Sequence, residues 1–129
     1  MQLNFDMKKQ YNTSEALARK ADLEAELSRI LPLIIDHYQP EKIILFGSLA
    51  TGEVHEWSDI DLAIVKDVDE YFWMRPLSVK KILHSNLATD LFIDRPVEFE
   101  QLKQEGHYFM VDEILGKGKV LYERSRKMV

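Results

Sequence analysis

The stretch GSLATGEVHEWSDIDLAIV, Gly47 to Val65, decides how this chain is read. Just before it stands KIILF, Lys42 to Phe46, a short continuous apolar run that suits a strand buried on both faces. That strand runs into a Gly-Ser turn. After a connector comes a second strand, Ile60 to Val65, introduced by Asp-Ile-Asp. Side chains alternate along a strand, so Ile60, Leu62 and Ile64 take one face while Asp59, Asp61, Ala63 and Val65 take the other. Two positions apart on one face, Asp59 and Asp61 present carboxylates about 7 Å apart at the backbone. Side-chain torsions bring such a pair onto one hard cation, or onto two about 4 Å apart. Magnesium suits this donor set, because it takes a few carboxylates and completes its shell with phosphate oxygens. Gly47 and Ser48 add exposed N–H groups and a hydroxyl, which face a phosphate if the turn opens a helical turn.

Upstream, Thr13 and Ser14 are candidate N-caps for a helix. Its apolar face is Leu23, Leu27, Ile30, Leu31, Ile34, Ile35 and Tyr38 at helical spacing. Pro32 removes a donor within that pattern and predicts a kink or two abutting helices, and Pro40 ends the segment. Downstream, residues 69–85 read as helix with Pro76 disturbing its first turns, and 89–93 as a third strand with Asp90 opposite in face to Thr89 and Leu91. Two short helices at 98–103 and 108–115 follow. Gly116 and Gly118 punctuate the chain before a last strand at 120–122. This order predicts an α/β fold, a small mixed sheet with flanking helices. One domain spans 1–129, with a helical segment over 1–40 and a catalytic core over 41–129.

Composition narrows the functional classes. With 46% hydrophobic and 30% charged residues the chain has material for a core, which excludes disorder and coiled coils. Zero cysteines exclude disulfides and thiolate chemistry and suit a reducing cytoplasm. Seventeen basic against 22 acidic residues, net −5, argue against direct nucleic-acid binding. No apolar run reaches the roughly 20 residues that span a bilayer, and the N-terminus lacks the apolar stretch of a secretion signal.

Gly-Ser, ten intervening residues and Asp-x-Asp resemble the signature of the DNA polymerase β-like nucleotidyltransferases, and the small size resembles the minimal nucleotidyltransferases among them. The resemblance implies Mg²⁺, a nucleoside triphosphate such as ATP, and nucleotidyl transfer to an acceptor hydroxyl. It assigns metal binding and catalysis to Asp59, Asp61 and, as third carboxylate in TDLF, Asp90, with Gly47 and Ser48 binding the nucleotide. Where many relatives read Gly-Ser-Arg-x-Arg-Gly, this chain has Leu49 and Thr51, so guanidinium groups at those positions give no phosphate contact. The chain has no room for a second acceptor-binding domain, so the acceptor brings its own surface, which favours a protein. Minimal nucleotidyltransferases accompany small helical HEPN-domain toxins, which implies an antitoxin that adds AMP to a tyrosine of its partner. The alternative is a non-catalytic antitoxin that acts by binding alone.

Other signals have plainer readings. His37, His55, His84 and His107 are scattered and form no zinc motif, although His55 lies in the connector before Asp59. Tyr71, Phe72, Trp73 and Met74 cannot all share one helical face; they cap the core, or else form a partner surface or a lid over the base, and Trp57 poses the same choice. Asp94 is a rival third carboxylate, but beside Arg95-Pro96 it belongs to a strand end and to ion pairing. Lys80 and Lys81 read as a solvated helix face.

Overall fold

The computed structural model describes residues 11–125. Residues 1–10 and 126–129, which include half of the stretch read for a secretion signal and the start of the helical segment expected over 1–40, lie outside the described residues. Helix α1 (Ser14–Leu33) begins where the Thr13 hydroxyl accepts the Ala16 N–H at 3.0 Å. It runs through Pro32 without a break into two helices. A wider π turn (Ile34–Tyr38) follows, closed by Gln39 in the left-handed region. The predicted periodicity holds: Leu23, Ile30, Ile34 and Tyr38 are buried, with Leu27, Leu31 and Ile35 packed at their edge.

Strands β1 (Lys42–Phe46), β2 (Ile60–Val65), β3 (Thr89–Asp94) and β4 (Lys119–Glu123) form a mixed sheet in the order β3-β2-β1-β4. β1 is antiparallel to β2 and to β4, whereas β2 and β3 run parallel. Between β1 and β2 stands a single helical turn, α2 (Ser48–Thr51). A 3₁₀ turn (Phe72–Met74) and helix α3 (Arg75–Leu83) make the crossover from β2 to β3. Helix α4 (Pro96–Gln104) and a π-helical segment (Phe109–Gly116) lead into β4.

Strand alternation distributes the core as the sequence indicates. Ile43, Leu45, Ile60, Leu62, Ile64, Leu91 and Ile93 meet α1 and α3 on one face. Ile44, Phe46, Ala63 and Val65 meet Phe99, Met110 and Ile114 on the other. KIILF is buried on both faces because it is an inner strand with helices on either side.

Four expectations need correction. Pro76 does not disturb the third helix but sits in its first turn, where a missing N–H costs nothing and the fixed φ favours helix. The helix itself is shorter than 69–85. The segment expected as a short helix at 108–115 is wound as a π-helix. Asp94 lies within β3 rather than past an end at 93: it is the last paired residue, in register with Val65, and is buried.

The far end of β3 is tied by Arg75, which is 5% exposed. Its guanidinium donates to the Ile93 and Glu70 carbonyls at 3.0 and 2.9 Å and to both oxygens of Glu98. That pairing holds the Glu98 carboxyl below its ordinary range, while burial pushes Asp94 up. Arg75→Ala strands two carbonyls and a carboxylate, and should destabilise the fold by about 3 kcal/mol in a denaturant melt.

Candidate active site

The site is assembled by strand register. Parallel pairing sets Asp61 beside Asp90, and antiparallel pairing sets Asp61 beside Phe46, the residue before Gly47. Three segments distant in sequence therefore meet at the leading ends of β2 and β3. Asp61 and Asp90 are register partners, and Asp90 bears on Asp61 as a neighbouring, like-charged carboxyl. Behind them, on the same face, the rings of Phe46, Phe92 and Phe109 pack with centroids 5.4 to 5.7 Å apart. Burial against this apolar wall, then the neighbouring carboxyl of Asp90, then the charge of Asp59, push Asp61 up to about 7.

Gly47 is shaped by the same carboxylate. Its φ of +75° suits glycine. A Cβ there would also overlap Oδ2 of Asp61 and lie 3.0 Å from its Cγ. Glycine at 47 is thus what lets the Asp61 carboxylate lie against the turn. Gly47 caps α2, with its carbonyl accepting from Ala50 and Thr51. The first turn leaves the N–H groups of Ser48 and Leu49 without intrahelical acceptors, in keeping with the donor role read from Gly47-Ser48. Leu49 is buried, so the residue after the Gly-Ser pair faces the core.

Asp59 is placed differently from expectation. It precedes β2 rather than belonging to it, and its Oδ1 lies 3.8 Å from a guanidinium nitrogen of Arg19 on α1. The Arg19 Nε also donates to the Ser58 carbonyl at 2.8 Å. Among the described residues no three acidic or histidine side chains are gathered as a metal-binding group. The structure brings Asp61 and Asp90 together and leaves Asp59 near them but paired elsewhere. The physical reason is mutual repulsion: with two carboxylates already in contact, the third takes the cationic neighbour within reach.

Arg19 was missed in the sequence. A signal for it exists, because Ala16, Arg19, Leu23 and Ile30 follow helical spacing and Ala16, Leu23 and Ile30 are buried. A charged residue on an inward stripe marks a polar destination inside the fold.

The connector before Asp59 is a closed turn. Ser58, itself buried, donates its N–H to the His55 carbonyl and accepts the His55 N–H on its hydroxyl. His55 Nδ1 accepts the Trp57 N–H at 3.2 Å, which leaves the Trp57 ring 74% exposed two residues from Asp59. Tyr71, Phe72, Trp73 and Met74 do not cap the core; all four are exposed, with Tyr71 and Trp73 stacked in parallel. They lead into Arg75, which is bound to Ile93, about 10 Å along β3 from Asp90. That position does not suit a lid over the carboxylates. Lys80 and Lys81 are exposed, as their reading predicts.

Residues 28–127 match the family described as Polymerase beta, Nucleotidyltransferase, and the chain belongs to that family. A relative in Methanocaldococcus jannaschii, named "Putative protein adenylyltransferase MJ0604", is 39% identical over 83 residues, which cover 64% of this chain and 78% of the relative. The fold is that of a solved structure described as a "putative nucleotidyltransferase from Sulfolobus solfataricus", with a TM-score of 0.60 at 17% identity, over 92% of this chain and 96% of that one.

Two outcomes follow from the crowding of Asp61. Gly47→Ala should lower any nucleotidyl transfer by about 100-fold or more, since the carboxylate must move by the width of a methyl group. Between pH 4 and 7 the folded chain holds a proton on Asp61 that the unfolded chain has released, so stability falls as pH rises through that window. Asp61→Asn removes the penalty. With solvent screening at a half-buried site, the gain should be about 1–2 kcal/mol at pH 8 in EDTA and should vanish below pH 4, as read by melts at both pH values.

Proposed function

We propose that this nucleotidyltransferase moves AMP from ATP to a hydroxyl of a partner protein, a tyrosine of a helical HEPN-domain toxin, and so serves as its antitoxin in the cytoplasm. The observation that carries the chemistry is the Asp61–Asp90 pair lying against the Gly47-Ser48 turn. The name of the archaeal relative supports a protein as acceptor.

In this reading the acceptor oxygen attacks the α-phosphorus of ATP and the bond from that phosphorus to the bridging oxygen of the β-phosphate breaks. Pyrophosphate leaves, and the hydroxyl proton passes to Asp90, the exposed carboxylate of the pair. The turn at Ser48 and Leu49 offers N–H donors to the phosphates. The adjacent Asp61 and Asp90 carboxyls offer hard oxygens that suit Mg²⁺; they would hold it, with Asp59 joining from near by, and it would neutralise charge on the phosphates.

A second reading is favoured by one observation: Leu49 is buried and Thr51 is uncharged, so the Gly-Ser turn itself carries no cation for a triphosphate. In that reading the chain neutralises its partner by occlusion alone. A covalent mark persists after the proteins separate, whereas occlusion reverses. Intact-mass measurement of the partner after incubation with ATP and Mg²⁺ distinguishes them. The expected result is a gain of one AMP, absent with Asp61→Asn and with Asp90→Asn and retained with Asp94→Asn. An inhibited but unmodified partner, bound equally well by Asp61→Asn, would sink the enzymatic reading.

A further inference from the structure

We infer that Arg19 is a positioning residue that shares Asp59 with a divalent cation: its guanidinium holds the carboxylate until the cation takes it over. The inference rests on the nucleotidyl-transfer reading and goes beyond it in giving helix α1 a part in the site.

The two contacts of Arg19 are unequal. Nε is hydrogen-bonded to the Ser58 carbonyl at 2.8 Å, and Ser58 is fixed in turn by the closed turn with His55. The approach of the other nitrogen to Asp59 is 3.8 Å, an ion pair at charge-contact range and beyond hydrogen-bond distance. The guanidinium is thus anchored to the backbone and only loosely to the carboxylate. A rotation of the Asp59 side chain breaks the loose contact and leaves the anchored one in place. Asp59 also precedes β2, so its rotation disturbs no pairing of the sheet.

The direction of the effect follows from charge. A monovalent guanidinium about 4 Å from the carboxylate competes with an incoming cation for the same oxygens. Removing it frees Asp59 and tightens cation binding. Keeping the charge while losing the fork geometry leaves the competition in place. A role confined to bracing the Ser58 carbonyl gives no such dependence on charge, since glutamine still offers an N–H.

The test is a titration with MnCl₂ followed by the electron paramagnetic resonance of free Mn²⁺, in the absence of nucleotide. Arg19→Gln should bind Mn²⁺ about five-fold more tightly than the unaltered chain, and Arg19→Lys within about two-fold of it. In an Asp59→Asn background Arg19→Gln should have no effect, because the shared carboxylate is gone. On the unaltered chain, which needs no variant to fold, Mg²⁺ should speed hydrogen exchange at the terminal nitrogens of Arg19 and spare its Nε. Unchanged or weaker binding by Arg19→Gln, or guanidinium signals indifferent to Mg²⁺, overturns the inference alone. A wild-type chain that takes up no Mn²⁺ overturns it together with the metal-dependent reading.

Discussion

Asp61 is pressed between the backbone at Gly47 and the carboxyl of Asp90, and much of the chain is arranged so that this unfavourable contact can exist. Two strand registers create it. The parallel pairing of β2 and β3 puts the two carboxylates side by side, and the antiparallel pairing of β1 and β2 brings the Gly-Ser turn over them. Either register slipping by one residue would send Asp61 to the opposite face, among Ile60 and Leu62. The apolar residues on both faces of β1 and β2 are what forbid the slip. Core and site are therefore not separate features: alternation fixes the register, and the register makes the carboxylates meet.

The same face of β3 shows how position decides the use of a side chain. Asp90, Phe92 and Asp94 alternate along it. Asp90 is exposed and stands beside another carboxyl, whereas Asp94 is buried near the Arg75–Glu98 pair. One acid is left with a like neighbour, and the other lies beside a charge network that ties down the start of α3 and α4. Phe92 between them joins Phe46 and Phe109 and closes the wall that separates the two ends. A strongly polar end that is satisfied and one that is not make a simple physical distinction between scaffold and site.

Much of this was legible because it is local or periodic. A run of five apolar residues ending in Gly-Ser needs no tertiary information to be read as a buried strand and a turn, and period-two alternation alone separates Asp61 from Ile60 and Leu62. Asp90 could be named because a third strand was visible around it. The failures concern choices made in three dimensions. Pro76 reads as a disturbance only if its helix starts at 69; with the start at Arg75 the same proline is a favourable first-turn residue. The π turns cannot be told from α-helix by spacing over five or eight residues. Spacing groups Asp59 with Asp61, while its charged partner lies forty residues away on a helix whose inward stripe is marked mainly by apolar residues.

Charge balance links these particulars to the chemistry. Among the described residues, Asp61 and Asp90 with Asp59 near by face one guanidinium, that of Arg19, and a triphosphate brings more negative charge still. After the Gly-Ser turn Leu49 points into the core, where a guanidinium would be buried without a partner. Compensation can come only from groups that reach the site from elsewhere, and α1 sends one, Arg19. A single monovalent group anchored to a carbonyl does not reverse the sign of the field. In the proposed reaction the nucleotide therefore arrives with divalent cations screening its phosphates, because the carboxylates of the site repel it bare.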